Sequence, residues 1–152
     1  IAKGEVVSFI DADGATRAEE LCKLVQELKK GVDGVIGSRW LPHSTILANQ
    51  TFMRKLASRG LNLIVRLFFR LPFKDTQCGA KAFKKSAIDG VIKELHTTSF
   101  AFDIELLSHL KKRGYTVKEV PITWRDRGGS TLRMKTEIPK MALALLRLKI
   151  LQ

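Results

Sequence analysis

The sequence predicts an α/β fold with a mostly parallel sheet flanked by helices. Residues 6–10 (VVSFI) are β-branched and apolar and run into an Asp-Ala-Asp-Gly turn signal, which is typical of a buried strand. Residues 21–28 place leucine and valine at helical spacing, and residues 33–38 (DGVIGS) form a second short strand. A strand, a helix and a strand in close succession indicate a βαβ unit, the building block of parallel sheets.

The later elements follow from the same signals. Thr16 is expected to cap the first helix and Gly31 to close it. Residues 50–71 predict a long helix, in which Gly60 is a candidate break. The remaining expectations are a strand over 78–83, helices over 86–95 and 102–113, a strand over 115–124, and a helix from Pro139 to Leu151. We therefore expect one α/β domain over residues 1–138 and a membrane-proximal or partner-packed C-terminal helix over 139–152.

Composition restricts the functions that the chain can have. It has 152 residues, of which 45% are hydrophobic and 28% charged, so it is a folded domain and not a disordered segment. Lys and Arg number 27 against 15 Asp and Glu, a net charge of +12. The expected partners are therefore anionic: nucleic acid, phosphorylated ligands or acidic membrane surfaces. Two cysteines are too few for a disulfide framework or a four-cysteine zinc site.

The positive charge is concentrated in one part of the chain. No acidic residue occurs between Asp33 and Asp75. In the long helix, four cations lie close together around the circumference: Lys55, Arg59, Arg66 and Arg70. Two interpretations are open, a core helix with a solvated charged face or an interfacial helix that sets its cations on anionic head groups. The absence of acidic residues favours the second, because solvated faces usually mix both signs.

Two carboxylates at a strand end are the first candidates for chemistry. Asp11 and Asp13 directly follow the first strand, where ligands bind in open α/β sheets. Mg²⁺ and Mn²⁺ accept one or two carboxylates and complete their coordination with phosphate oxygens and water. The pair is therefore suited to a metal-bound diphosphate, although an isolated Asp-x-Asp is also typical of ordinary polar loops.

Basic residues supply a candidate anion site. Arg39 directly follows the second strand, and Arg127 lies in a glycine-containing loop after the last one. Arg54 and Ser58 are four residues apart and therefore neighbours on a helix face. An arginine beside a hydroxyl is a good receptor for a phosphate group. Taken singly, each arginine is equally compatible with an ordinary surface cation.

An ordered set of motifs makes the chain similar to a known family. The set is FIDADGAT, VIGSRW, Arg54-x-x-x-Ser58, DTQCGAKAF, FDIELL and EVPITWRDRGGS. In this order the motifs resemble family 2 glycosyltransferases of the dolichyl-phosphate mannosyltransferase and β-glucosyltransferase type. The resemblance implies the carboxy-terminal part of a Rossmann-like GT-A domain without the family's amino-terminal nucleotide-binding segment. The chain by itself is therefore expected to be inactive.

The resemblance also implies an activity and its participants. The reaction is the inverting transfer of a hexose, mannose or glucose, from GDP-mannose or UDP-glucose to dolichyl (polyprenyl) phosphate. It depends on Mg²⁺ or Mn²⁺. The expected location is the cytoplasmic face of a membrane, on an anionic surface and without a nucleic-acid partner.

On the donor side, the resemblance places Asp11 near the nucleotide and the metal. It makes Asp13 a metal ligand and Arg127 a partner of the departing diphosphate. Two positions depart from the family pattern: Ala15 replaces a glutamine and Thr131 replaces a lysine. The metal's coordination must therefore be completed in another way.

On the acceptor side, the resemblance assigns the lipid phosphate to Arg39, Arg54 and Ser58. Asp75 and Gln77 belong to the DTQCG string and are expected to line the cleft. A phosphate monoester is already an anion at neutral pH, so the reaction needs no catalytic base. It needs two anions held near one sugar carbon.

Two alternatives remain open. One is a basic module that binds membranes or nucleic acid without catalysis, which would keep its carboxylates away from its arginines because nearby acids weaken anion binding. The other is a family 2 relative that builds polysaccharide, which would normally carry several membrane spans and another acceptor motif. The first alternative is tested by whether Asp11 and Asp13 lie in the same cleft as Arg39 and Arg127.

Overall fold

The computed structural model of the chain describes residues 3–47, 52–97, 101–125 and 134–151. Its strands are β1 (Val6–Phe9), β2 (Gly34–Ser38), β3 (Thr45–Ile46), β4 (Lys81–Lys84), β5 (Val117–Pro121) and β6 (Thr123–Trp124). Its helices are α1 (Ala18–Leu28), α2 (Phe52–Phe69), α3 (Lys85–Val91), α4 (Phe102–Lys112) and α5 (Met134–Leu151), with a 3₁₀ turn (Ile92–Glu94) after α3.

The predicted α/β fold is confirmed, with one strand running against the others. The main sheet has the order β1-β4-β2-β5, and β3 pairs with β6 in a small separate sheet. Strands β2 and β5 are parallel, whereas β4 is antiparallel to both β1 and β2. Three of the four main strands therefore point the same way. The predicted βαβ unit is present, but β4 lies between its two strands.

Helices cover both faces of the main sheet. Successive residues of β2 point to opposite faces, so Val35 packs with Leu24 and Leu28 of α1 while Ile36 faces the other side. The larger core on that second side joins the sheet to α2, α3, α4 and α5. Burying these apolar side chains is the main stabilising term, at roughly 1.5–3 kcal/mol for a fully buried leucine or isoleucine.

The structure corrects several local predictions. Thr16 does not cap α1: Arg17 occupies the cap position without a side-chain hydrogen bond, and Thr16 is buried and bridged to Trp124. Helix α2 continues through Gly60, because one glycine costs a helix only about 1 kcal/mol. Helix α5 begins at Met134, before Pro139. The strand expected over 115–124 is interrupted between β5 and β6.

Helix α5 shares the core of the main sheet. Its Leu145 and Leu148 are buried in the same apolar cluster as Val65 and Phe69 of α2. The domain boundary at residue 138 remains a prediction. Within the described ranges, no helix is both long enough and apolar enough to cross a membrane.

Candidate functional site

The candidate site lies where β1, β2 and β5 end. Phe9 of β1 and Ile36 of β2 both pair with Lys81, the first residue of the antiparallel β4. Ser38 of β2 pairs with Pro121 at the end of β5. We call this side of the sheet the strand-end edge. It brings together the loop that follows β1, the segment that follows β2 and the loop that precedes β4.

Arg39 is fixed at this edge by a buried carboxylate. Its Nε lies 2.7 Å from Oδ2 of Asp75 and its Nη2 lies 2.9 Å from Oδ1, a two-pronged ion pair. The backbone N–H of Arg39 also donates to Oδ2, at 2.9 Å. Asp75 is fully buried, and the Arg39 side chain is only 15% exposed. The sequence expected Asp75 to line the cleft, and the structure gives its contact: it holds the guanidinium.

Electrostatics keeps both members of this pair charged. Burial alone would raise the pKa of Asp75, but the Arg39 guanidinium outweighs burial and holds that pKa below its ordinary value. Burial would likewise lower the pKa of Arg39, but the hydrogen bonds and charge of Asp75 raise it. The pair is therefore a permanent ion pair at neutral pH.

A second set of polar groups holds Asp75 in place. Asn62 of α2 donates from Nδ2 to Oδ1 of Asp75 at 3.3 Å and accepts from the Thr76 N–H and hydroxyl. The Glu119 carboxylate of β5 accepts the backbone N–H groups of Lys74 and Asp75, at 2.9 and 2.7 Å. These bonds connect helix α2, strand β5 and the loop before β4 around the buried charge of Asp75.

Two tryptophans cover the guanidinium of Arg39. Its central carbon lies 5.5 Å from the ring centroids of both Trp40 and Trp124, within range of cation–π attraction. Arg59 of α2 lies over the same Trp40 ring at 4.8 Å. Asp75 takes two of the five N–H groups of the guanidinium, which leaves up to three for another acceptor.

The two aspartates after β1 occupy an exposed loop at the same edge. Oδ1 of Asp13 accepts the backbone N–H of Ala15 at 2.8 Å, which leaves Oδ2 free of that bond. The Asp11 carboxylate lies against the backbone of Gly79, where an added Cβ would come within 2.0 Å of Oδ2. Ala15 in turn accepts the backbone N–H of Arg125, just after β6. The aspartate loop is therefore tied to the last described segment before Arg127.

The pKa of Asp11 reports on its surroundings. Partial burial raises it, and the nearby negative charges of Asp13 and Asp103 raise it further. The positive charges of Lys81 and Arg39 act in the opposite direction. Asp11 and Arg39 therefore lie close enough to influence each other. The shared edge of Asp11 and Arg39 counts against the non-catalytic basic module, while the predicted place of Arg127 beside them stays a prediction because Arg127 lies outside the described residues.

Lys81 places a buried cation close enough to Asp11 to act on its pKa. Its side chain is completely buried, its Nζ lies 3.0 Å from Oδ1 of Asp103, and it donates to the carbonyl oxygen of Cys78. It also lies 5.7 Å from the centroid of the Phe9 ring. A buried ammonium needs such partners because its desolvation is costly. It offsets part of the negative charge gathered at this edge.

The aspartate pair fits a hard divalent cation. No group of three or more His, Cys, Asp or Glu residues suited to a metal occurs in the described part of the chain. Two carboxylates with unshared oxygens are nevertheless what Mg²⁺ and Mn²⁺ take from a protein when substrate phosphates supply the other ligands. Asp11 and Asp13 as metal ligands remain a prediction.

The structure describes the side chains of only some of the other predicted site residues. Ser58 is half-buried on α2, and Gln77 is half-buried in the loop before β4. Arg54 lies on α2, but its side chain is outside those described, and Arg127 lies outside the described residues. Their predicted contacts with the phosphate and the diphosphate remain predictions.

Several site residues were missed or left without a role by the sequence analysis. Asn62 and Lys81 gave a weak signal, an amide inside an apolar helix and a lysine inside a strand. Asp103 belongs to the FDIELL motif, which was quoted without a role for the residue. Glu119 gave no signal, because its bonds reach a loop far away in the sequence.

The chain belongs to glycosyl transferase family 2, whose family model matches residues 1–91. The family resemblance inferred from the motifs is therefore confirmed.

Three curated relatives show which members of the family the chain is similar to. Dolichyl-phosphate beta-glucosyltransferase ALG5D of Trichomonas vaginalis is 33% identical, over 98% of this chain and 47% of its own length. The dolichyl-phosphate beta-glucosyltransferase of Drosophila melanogaster is 34% identical, over 86% of this chain and 42% of its own. Glycosyltransferase AglD of Haloferax volcanii is 32% identical, over 96% and 23%. The chain spans about half or less of the length of these relatives.

A solved structure supports the fold. Glucosyl-3-phosphoglycerate synthase of Mycobacterium tuberculosis, in complex with uridine diphosphate, superimposes with a TM-score of 0.67. The match covers 97% of this chain and 50% of the other, at 18% sequence identity. This likeness shows the GT-A fold alone.

Proposed function

We propose that this chain carries part of the active site of an inverting hexosyltransferase that transfers glucose from UDP-glucose to dolichyl phosphate. The observation that carries the proposal is the strand-end edge, where the loop with Asp11 and Asp13 follows β1 and Arg39 follows the parallel strand β2. The names of the curated relatives support the acceptor and the sugar. The uridine diphosphate bound by the structural neighbour supports the donor base over GDP-mannose.

The reaction exchanges one C–O bond for another. An oxygen of the lipid phosphate attacks the anomeric carbon from the face opposite the diphosphate, so the configuration inverts. The bond from that carbon to the diphosphate oxygen breaks, and the electron pair leaves with the nucleoside diphosphate. The attacking phosphate is already ionised, so no residue has to remove a proton. The protein has to position two anions and reduce their repulsion.

On the donor side, Asp11 and Asp13 would hold Mg²⁺ or Mn²⁺. A bound divalent ion neutralises charge on a diphosphate as it departs. The bond from the Ala15 N–H orients Asp13, and contact with Gly79 orients Asp11. Arg127 would add a positive charge to the departing diphosphate.

On the acceptor side, Arg39 would bind the lipid phosphate with the N–H groups that Asp75 leaves available. Its two tryptophan neighbours and the bonds to Asp75 fix the guanidinium before the ligand arrives, which reduces the ordering cost on binding. Arg54 and Ser58, on α2, would complete this phosphate site.

A lipid acceptor requires a surface that reaches the membrane, and we assign this role to helices α2 and α5. Helix α2 exposes apolar side chains over its middle and end, and α5 adds further ones: Leu56, Leu63, Ile64, Leu67, Phe68, Leu143, Leu146 and Ile150. Lys149 of α5 lies over the rings of Phe68 and Phe69, so the two helices are adjacent. We call these eight side chains the apolar face. Its proposed partner is an anionic bilayer, at the cytoplasmic face of a membrane.

The test is a donor comparison with the complete protein that carries this chain. Transfer to dolichyl phosphate is measured from UDP-glucose and from GDP-mannose, with Mn²⁺ and with a chelator. We expect metal-dependent transfer from UDP-glucose. Transfer only from GDP-mannose would reject the assigned hexose, undiminished transfer with the chelator would reject the metal, and no transfer to the lipid from either donor would reject the function.

A further inference from the structure

A second basic cavity lies beside the Arg39 site. It has a volume of about 240 Å³, which is room for several water-sized groups. Six residues line it, from the segment after β2, helix α2 and the loop before β4: Trp40, Arg59, Asn62, Leu63, Arg66 and Lys74. Three of the six are cations and none is acidic. Arg59 and Arg66, two of the four cations that the sequence places close together on the long helix, thus converge on a cavity with Lys74.

The carboxylates that contact the residues lining the cavity already have other hydrogen-bond or ion-pair partners. Asp75 is bonded to Asn62 and Arg39. Glu119 accepts the backbone N–H groups of Lys74 and Asp75. Among the described residues, Arg59, Arg66 and Lys74 have no ion-pair partner closer than 4 Å. The cavity therefore keeps a positive potential.

Two N–H donors in the cavity's lining residues lack acceptors. The indole Nε1 of Trp40 and the Nε of Arg66 are buried, with no hydrogen-bond partner among the described residues. A buried donor without an acceptor costs about 1–3 kcal/mol, so such groups are uncommon and call for an explanation. Both atoms are covered by neighbouring atoms, so a ligand could bond to them only if the two side chains moved. A tetrahedral oxyanion supplies the acceptors that they lack.

The cavity opens beside an apolar surface. Leu63 lines it and is 52% exposed. Its helix neighbours Ile64 and Leu67 are 59% and 72% exposed. A ligand with its anion in the cavity would therefore have apolar side chains available for a hydrocarbon chain. Inorganic phosphate would use only the polar part of this arrangement.

We infer that this cavity binds the phosphate group of a lipid, as a site separate from Arg39. Arg59, Arg66 and Lys74 neutralise the phosphate, the Trp40 and Arg66 N–H groups donate to its oxygens, and Leu63 with Leu67 receives the start of the chain. Charge-assisted bonds from several arginines are well suited to phosphate. Asn62 contacts both this cavity and Asp75, so the two basic sites share a wall.

The test is a titration of the complete protein, without nucleotide sugar, with dodecyl phosphate below its micelle concentration. Parallel titrations use inorganic phosphate, and dodecyl maltoside as a ligand with the same chain but no phosphate. The readout is tryptophan emission, and the Trp40→Phe variant identifies the contribution of Trp40. Arg66→Gln and Lys74→Gln each remove one cation, and Lys74 is exposed, so its replacement preserves the fold. Lys93→Gln, on the 3₁₀ turn, is the matched control.

We expect dodecyl phosphate to change Trp40 emission at lower concentration than inorganic phosphate does, and dodecyl maltoside to leave it unchanged. Arg66→Gln and Lys74→Gln should each weaken binding about tenfold or more, and Lys93→Gln should not. Equal affinity for the two phosphates would overturn the lipid assignment. Unchanged Trp40 emission with both, or unchanged affinity in both cavity variants, would overturn the site. Because no sugar donor is present, either failure leaves the transfer reaction to be judged by its own assay.

Discussion

Arg39 and Asp75, 36 positions apart in the sequence, are joined by two side-chain bonds of 2.7 and 2.9 Å and by a third from the Arg39 backbone. The carboxylate is fully buried, and it holds one edge of the guanidinium. The rings of Trp40 and Trp124 limit the movement of the rest of the guanidinium. Arg39 is thus a prepositioned cation rather than a mobile surface side chain.

Replacing Asp75 by asparagine should strongly destabilise the fold. The change leaves Arg39 buried without its counter-charge, and breaking one side of a buried pair costs about 3–5 kcal/mol. The measurement is the free energy of unfolding in urea. Asp89→Asn removes a carboxylate from an exposed pair with Lys85 on α3 and should change stability by less than about 1 kcal/mol. Similar losses in the two variants would contradict the importance of the pair.

The contribution of Asp75 should also depend on pH. Because the pKa of Asp75 is lower in the folded state, its ionised form stabilises the protein above the unfolded value of about 3.9. This stability is lost as the pH falls through the lower, folded pKa. The gap in unfolding free energy between the wild type and Asp75→Asn should therefore shrink on acidification below about pH 4. A gap that stays constant from neutral pH into that range would show that the ion pair is not its source.

Gly79 should be required for the placement of Asp11. An alanine methyl group there would lie 2.0 Å from the Asp11 carboxylate, so Asp11 must move. We expect Gly79→Ala to reduce sugar transfer by about tenfold or more, since small misplacements at a reacting centre are costly. Its stability should change little, because the displaced atoms belong to an exposed side-chain end.

Gly60 provides the matched control for this substitution. Among the described parts of the chain, nothing lies within 4 Å of an added Cβ at Gly60. Gly60→Ala should therefore stabilise α2 by about 0.5–1 kcal/mol and leave transfer unchanged. Wild-type transfer by Gly79→Ala would show that the position of Asp11 does not matter for the reaction.

Membrane binding should depend on the apolar face. Leu67 is 72% exposed on α2, and Leu67→Glu puts an anion where we propose that an apolar side chain enters the bilayer, so vesicle binding should weaken about tenfold or more. The measurement is sedimentation with phosphatidylcholine–phosphatidylserine vesicles over a salt series. Ile92→Glu changes a 47% exposed side chain on the 3₁₀ turn and should bind like the wild type. If retention is insensitive to salt and to Leu67→Glu, the proposed membrane surface is wrong.

Local sequence patterns predicted most of the fold. Residues 6–10 and 33–38 contain the strands β1 and β2, and Gly31 and Gly114 adopt the positive φ angles expected after helices. Strand β2 is buried as predicted, whereas β1 is only half-buried because it lies at the edge of the sheet. The direction of β4 was not predictable, because its short apolar pattern is the same whichever way the strand runs. The cap at Thr16 failed because tertiary pairing with Trp124 took that residue instead.

The candidate site was predicted only as a set of residue types. Placing Asp11 and Arg39 at strand ends correctly brought them to one edge, because that inference needs only the strand directions. The partner of Arg39 was not predictable, since Asp75 is distant in the sequence and any of several acids could have met it. The roles of Asn62 and Glu119 depend on the packing of α2 and β5 around the loop before β4.

The most direct test of the donor and acceptor sides proposed for the strand-end edge is a steady-state comparison of Asp13→Asn and Arg39→Lys in the complete protein. Each is assayed for glucose transfer while UDP-glucose and dolichyl phosphate are varied in turn. Asp13→Asn should raise KM for UDP-glucose and the Mn²⁺ concentration required. Arg39→Lys, which loses the two-pronged geometry, should raise KM for dolichyl phosphate. Wild-type kinetics in both variants, or the two KM effects exchanged, would contradict the account.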